Sequence, residues 1–257
     1  MQKGASMLSA ERKRLILESI GRDGRVVAAE LSQRFEVSED TIRRDLRELA
    51  SEGLVHRVHG GALPNAPVVQ SYAARAGQAS AEKAAIAHAA AGLVRHGQVI
   101  AIDGGTTPLQ VAEHLPRDLR ATIVTHSLPV LTALAGREGL ELLAIGGRIM
   151  GDTLVAVGPA AVDAYRAIHA DVCILGVAGI DVTAGLTALN ADEAMVKRAM
   201  AVGARRVVAV AAADKLGTAG PFVVDSIDRI TDLVTDRAAS AETLQKFEAA
   251  GLRVITA

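Results

Sequence analysis

Seven apolar runs of strand length recur between residue 98 and the end of the chain: "QVIAID", "ATIVT", "LELLAIGG", "DVCILGVAG", "RRVVAVAAAD", "ITDLVTD" and "LRVITA". Helix-length segments alternate with them. Runs that stay apolar at successive positions suit strands buried on both faces, and the intervening chain supplies the crossovers that parallel pairing needs. The pattern predicts an α/β domain over residues 80–257, a mainly parallel sheet covered by helices. Half of the chain is hydrophobic, so a sizeable core can form, and with 2% aromatic residues that core is aliphatic.

The first 62 residues follow a different pattern, short helices with a hairpin after them. Ser9 is placed to cap a helix through Ile20, with Leu15, Ile16 and Ile20 on one face and "GRDG" as its breaker. A second helix over 27–35 buries Val27, Leu31 and Phe35. After the turn "EVS", Ser38 caps a third helix whose first turn holds Glu39 and Asp40, where carboxylates complement the helix dipole. Leu54 to Val58 and "HGGAL" read as a short hairpin, a wing. Pro64 and Pro67 then interrupt regular structure, so 63–79 is the expected joint between a domain over 1–62 and the larger one.

The third helix carries the chemistry of the small domain. On a helical wheel Ile42, Leu46 and Leu49 share one face, Arg44 and Arg47 point away from it, and Thr41 and Arg43 flank them. Arg43 and Arg44 diverge by about 100°, so one can reach base edges while the other holds a phosphate, and arginine suits both tasks. The wing brings His56, Arg57 and His59 to the same side. Two blander readings compete. Asp45, Glu48 and Glu52 could pair with the arginines on a solvated surface, and the two histidines could suggest a metal, although no cysteine or carboxylate pair completes such a site. Net charge does not decide, because residues 1–62 hold 11 Lys and Arg against 10 Asp and Glu, leaving 17 against 19 for the remainder. The decisive feature is the combination of three helices at helix-turn-helix spacing, a capped third helix and a basic wing. With no Trp and so few aromatics, a single-stranded platform built on base stacking is excluded, and duplex DNA is the expected partner.

In the larger domain the ends of the strands are polar or rich in glycine: "DGGTT" (103–107), "THS" (125–127), "GGR" (146–148), "GVAGID" (176–181) and "DK" (214–215). Ligands of open parallel sheets bind beyond the carboxyl ends of the strands. Gly104 and Gly105 let the backbone approach a ligand, Thr106 and Thr107 offer hydroxyls, and the helix starting near Pro108 presents unpaired amides to an anion. Arg148 and Lys215 are candidate counter-charges. The Gly-Lys-Ser/Thr ending of a nucleoside-triphosphatase loop is missing, and no GxGxxG follows a strand. A small phosphorylated or carboxylated metabolite fits best, while the competing reading makes these glycines simple turn formers.

"VSEDTIRRDLRELASEGLVHRVHGGA" closely resembles the winged helix-turn-helix signature of the DeoR (deoxyribose operon repressor) family of bacterial transcription regulators. The blocks "EKAAIAHAAAGLVRHGQVIAIDGGTTPLQVAEHL", "VTHSLPV", "GGRIMGDTLVAVGPAA", "GVAGID" with "GLT", and "DEAMVKRAM" resemble the sensor domain of the same family, so the resemblance spans about Ser9 to Gly217. It implies that Ser38, Thr41, Arg43, Arg44 and Arg47 enter the major groove, with Arg57 and His59 on the wing beside them. It implies a sensor on the ribose-5-phosphate isomerase and CoA-transferase scaffold that responds to phosphorylated sugars or related intermediates. It places Asp103, Gly105, Thr106, Thr125, Ser127, Gly147, Arg148, Asp181 and Lys215 in the effector pocket. Two positions depart from the family pattern: "AADKLG" puts Asp214 where a serine is usual, and His126 stands where Asn is common.

A sugar-phosphate isomerase with an appended DNA-binding domain is the alternative. Isomerases of this scaffold carry Asp-Gly-Ala-Asp and Lys-Gly-Gly-Gly loops, and here "VAGID" occupies the first place while Lys-Gly-Gly is missing. Glu193 and Lys197, one helical turn apart, could serve as an acid/base pair, but an i,i+4 surface ion pair explains them more simply, and Ser127 and His126 point to opposite faces of a strand. Control by a protein partner is a third possibility. The single cysteine, Cys173, fits a reducing compartment, excludes an intrachain disulfide and reads as a core residue. The N-terminus lacks the apolar centre of a signal peptide, and no stretch approaches the roughly 18 apolar residues of a membrane span. The expectation is a cytoplasmic regulator without cofactor, acting as a homodimer or homotetramer because paired readers are needed for tight selective binding.

Overall fold

A glycine ends the first helix. In the computed structural model, which describes residues 8–65 and 81–257, α1 (Ser9–Asp23) closes on Gly24 at φ 71°, and the Gly24 N–H returns to the Ile20 carbonyl. The helix therefore absorbs most of "GRDG" and stops only at the residue that adopts the left-handed region freely. Leu8, not Ser9, occupies the cap position, and the Ser9 hydroxyl donates to Asp45 instead, at 3.3 Å. β1 (Val26–Val27) precedes α2 (Ala28–Phe35), so Val27 lies on a strand and Ala28, Leu31 and Phe35 form the buried face of the helix. α3 (Glu39–Ser51) begins where the sequence predicts, with the Ser38 hydroxyl accepting the Thr41 N–H at 3.2 Å.

Ile42, Leu46 and Leu49 pack with Ile16, Ile20, Leu31 and Val55 into a single core. β2 (Val55–Val58) and β3 (Gly61–Pro64) make the wing, an antiparallel hairpin whose second strand also pairs with β1. A side chain at Gly61 would place its Cβ 1.9 Å from the Val26 carbonyl oxygen, so glycine is what allows this three-stranded contact. β3 takes in Leu63 and Pro64, two residues assigned by sequence to the joint. Residues 66–79 of that joint, Pro67 and Tyr72 among them, lie outside the described residues.

The seven runs are the seven strands of one sheet. Its order is β15 (Arg253–Thr256), β14 (Asp232–Thr235), β12 (Ala204–Val210), β9 (Ala170–Gly176), β4 (Val99–Ile102), β5 (Ala121–Thr125) and β6 (Leu140–Ala144), and every pairing is parallel. Side chains alternate between two apolar layers. Ile100, Ile102, Val172 and Ile174 face α4 (Ala81–Ala91), α5 (Thr106–His114) and α6 (Leu128–Leu134), while Ala101, Cys173 and Leu175 face α7 (Pro159–Arg166), α8 (Ala191–Val202) and α9 (Ala241–Ala249). Cys173 is thus a core residue, and burial pushes its thiol pKa up.

From β4 the chain winds outward through β5 and β6, then returns to β9 on the other side. The reversal point lies between β4 and β9, where an open α/β sheet forms its ligand crevice. Periodicity did not predict the short antiparallel additions around that point: a hairpin of β7 (Arg148–Met150) with β8 (Val155–Val157), and a sheet of β10 (Gly179–Asp181), β11 (Gly185–Ala188) and β13 (Phe222–Asp225).

Candidate functional site

α3 shows one face to the core and another to solvent. Arg43, Arg44 and Arg47 are exposed, as are Ser38 at the cap and Arg57 and His59 on the wing; Thr41 is half-buried. In the free chain the cations are partly engaged. Arg43 donates to Glu39 at 2.6 Å and Arg44 to Glu48 at 3.3 Å, while Arg47 has no hydrogen bond or ion pair among the described residues. Exposed pairs of this kind are weak and screened by salt, too weak to compete with a bidentate contact to guanine or a phosphate. Asp45 behaves differently. It is 2% exposed and lies against the Arg12 guanidinium of α1, with Arg12 Nη2 donating to Oδ1 at 3.1 Å, so it ties α1 to α3. Its arginine partner is thus 33 residues away on α1 and not one of the exposed arginines of α3. His56 is half-buried beneath the wing, and burial lowers its pKa.

At the reversal point Asp103, the residue after β4, is 1% exposed. Its Oδ2 accepts the Gly176 N–H at 2.9 Å and pairs with Lys197 Nζ, which also donates to the Gly176 carbonyl at 3.1 Å. Lys197 is therefore a buried partner of Asp103 and not the surface partner of Glu193 that its spacing suggested. Oδ1 of Asp103 makes no hydrogen bond among the described residues and lies 3.6 Å from His126 Nε2. His126 Nδ1 is 2.9 Å from the Tyr165 hydroxyl. Burial lowers the imidazole pKa to about 4, against the upward pull of Asp103 and with a smaller downward push from Lys197. Burial also keeps the Tyr165 phenol protonated. Tyr165 therefore donates to Nδ1, and the neutral ring carries its proton on Nε2, facing Asp103.

The predicted hydroxyls and glycines lie where β4 and β5 end and where the β7–β8 hairpin begins, and much of their capacity is engaged locally. Thr125 Oγ1 accepts the Ser127 N–H at 3.1 Å, and Ser127 Oγ caps α6 by accepting the Val130 N–H at 3.4 Å. Thr106 and Thr107, nearly buried, open α5 after Gly105 at φ 101°. Gly104 leaves room that the Val155 side chain fills: a Cβ there would lie 2.2 Å from Val155 Cγ1. Gly147 likewise admits the Val157 carbonyl. These two glycines let the β7–β8 hairpin fold over the strand ends. Arg148, which the hairpin projects into solvent, pairs with Asp192 at the start of α8. Asp181 and Lys215 form a second group. Oδ1 of Asp181 accepts the N–H groups of Thr183 and Ala184 at 2.8 and 3.1 Å, and Gly217 donates to the Ile180 carbonyl at 2.8 Å, holding the half-buried Lys215 turn beside it. Sequence reasoning did not select Lys197 or Tyr165. The available signal was the Lys197–Arg198 pair inside the otherwise apolar stretch "AMVKRAMAV".

Residues 12–68 match the DeoR-like helix-turn-helix domain, and residues 78–237 match the DeoR C terminal sensor domain. The chain belongs to the DeoR family. This DeoR-family chain is 39% identical to the HTH-type transcriptional regulator GlpR of Haloferax volcanii over 97% of its own length and 98% of that protein's. It is 33% identical to the glycerol-3-phosphate regulon repressor of Escherichia coli K12, over 93% and 95% of the two chains. It is 32% identical to the HTH-type transcriptional repressor GlcR of Bacillus subtilis, over 90% of each. It is accordingly a DNA-binding transcriptional regulator. Similarity to the solved full-length sorbitol operon regulator SorC of Klebsiella pneumoniae is loose, with a TM-score of 0.44 at 15% identity over 91% of this chain and 98% of that one, and carries no functional weight. Among the described residues no helix is long and apolar enough to cross a membrane.

Proposed function

We propose that this DeoR-family regulator represses an operon of sugar or related catabolism and is released by a small phosphorylated metabolite. The observation that carries the reading is the division of α3, with Ile42, Leu46 and Leu49 buried and Arg43, Arg44 and Arg47 exposed on a capped, buttressed helix. Ser38, Thr41 and the three arginines read the major groove of double-stranded DNA, and Arg57 and His59 hold the flanking backbone from the wing. Relatives named as repressors, one of them of a glycerol-3-phosphate regulon, support the direction of control and the ligand class.

The effector enters at the β4–β9 reversal, with the Gly105–Thr107 helix start, Thr125, Ser127 and Gly147 around it and Arg148 and Lys215 as counter-charges. The protein works in the cytoplasm as a homodimer or homotetramer, without a cofactor. It is a sensor and not an enzyme, because Asp103, the carboxylate best placed to act as a base, is fully buried and tied to Lys197 and Gly176. Fluorescence anisotropy on duplex from upstream of the regulated operon tests the reading. A phosphosugar that binds the protein should weaken operator affinity about 5- to 150-fold, the usual range of such couplings. A ligand that binds without changing operator affinity, or measurable turnover of ribose 5-phosphate, contradicts it.

A further inference from the structure

The last strand of the wing ends on the larger domain. The Ala219 N–H donates to the Pro64 carbonyl at 3.4 Å, and Asn65, the residue after β3, forms a parallel bridge with Ala219. Asn65 is exposed, and its side chain reaches back to the reading helix: Nδ2 donates to the carbonyl of Gly53, in the turn that leaves α3, at 2.6 Å. One residue therefore joins the wing, the end of the reading helix and the sensor. Domains of one chain move relative to one another by default, so a backbone bridge between them restricts where the reader can sit.

Ala219 is 1% exposed and belongs to a braced turn. The Thr218 hydroxyl donates to the Lys215 carbonyl at 2.9 Å, the Gly217 N–H to the Ile180 carbonyl at 2.8 Å and the Gly220 N–H to the Thr187 hydroxyl at 2.8 Å. β10 meets this turn with Gly179, where a Cβ would lie 2.6 Å from both oxygens of Thr218. Lys215 and Ala219 are thus carried on one unit, attached to the strand that ends in Asp181. Coupling between distant sites runs through contiguous packed and hydrogen-bonded chain of this kind. We propose that the 215–220 turn, with Asn65 as its receiver, is the joint through which the effector site acts on the DNA reader. The proposal rests on the effector reading above, with Lys215 as a counter-charge, and supplies its mechanical route. An anion that draws the Lys215 ammonium displaces the turn as a whole, and Ala219 takes Pro64 and Asn65 with it. Through Gly53 the displacement reaches α3, so wing and reading helix turn together.

Hydrogen exchange across the full chain, with and without inorganic phosphate at constant ionic strength, tests the joint. In the unmodified protein phosphate should alter exchange at 213–220, and by about 5-fold or more at 61–65 and at 49–54. Asn65→Ala, at an exposed position, should keep the response at 213–220 and 61–65 and lose it at 49–54. Asn65→Asp, which keeps the shape but cannot donate to the Gly53 carbonyl, should do the same. A wing merely loosened by these substitutions would exchange faster with and without phosphate alike, and a phosphate response at 49–54 that survives them overturns the proposal. Lys215→Met should abolish the response everywhere; one that persists at 49–65 comes from phosphate held by the reader itself and also overturns it. A response at 213–220 with 49–65 silent in the unmodified protein overturns the joint and leaves the effector reading standing. Silence at 213–220 removes that reading, and the joint with it.

Discussion

Arg12 of α1 and Asp45 of α3 form an ion pair closed off from solvent, and it ties the first helix of the small domain to the third. Removing Asp45 takes its carboxylate away from the buried Arg12 guanidinium, at a cost of about 3 kcal/mol. Asp45→Ala should lower the stability of the small domain by about that amount in urea unfolding followed by circular dichroism. The double change Arg12→Met with Asp45→Leu should recover much of the loss. If the single change proved neutral, the pair would not be the brace between the helices.

Arg44 and Arg47 stand away from the core, so their loss should be felt by DNA and not by the fold. Arg47→Ala and Arg44→Ala should each cost about 1–3 kcal/mol of operator affinity if the residue reads a base. A residue that holds a phosphate should instead weaken binding to all duplexes alike and reduce the salt slope by about one. Anisotropy titrations on operator and scrambled duplex at several salt concentrations separate the two roles. Full affinity in both variants would mean that α3 faces away from the groove.

Gly61 admits the Val26 carbonyl into the wing. Gly61→Ala must push β1 and β3 apart, an overpacking cost of about 2 kcal/mol. The expected result is a lower melting temperature and amide shifts concentrated in Val26, Val27, Ala62 and Leu63. Shifts absent from β1 would contradict the close approach.

His126 makes the sensor sensitive to acid. Burial holds its pKa near 4 in the folded chain, whereas an unfolded histidine titrates at about 6.5. Between those values the unfolded chain takes up a proton that the folded chain refuses. The contribution is therefore fully present above about pH 6.5 and is lost as the pH falls toward 4, about 3 kcal/mol in all. His126→Asn should flatten that part of the stability profile, measured by denaturant unfolding at each pH. An unchanged slope would place the acid sensitivity elsewhere.

The parallel sheet and the reading helix were legible because both repeat. Seven continuous aliphatic runs and the helical spacing of Ile42, Leu46 and Leu49 each identify buried surface from local pattern alone. Lys197 was misread for the same reason. Its i,i+4 relation to Glu193 is local and visible, whereas its partner Asp103 is 94 positions away and meets it only after the sheet has formed. Ser9 resembled a cap for want of any sign that Asp45 would draw its hydroxyl away. The short strands β7, β8 and β10 are three residues each, too short to show a period of two. Gly104 suggested close approach to a ligand, and the approach seen there, as at Gly147, is that of the chain's own hairpin.

The glutamates of α3 steady its cations without holding them back. Arg43 rests on Glu39 and Arg44 on Glu48 in exposed, salt-screened pairs. On the proposed function, a phosphate or a guanine edge takes each guanidinium over from its glutamate with little opposition, so the free regulator carries these side chains charge-balanced until a duplex replaces the carboxylates.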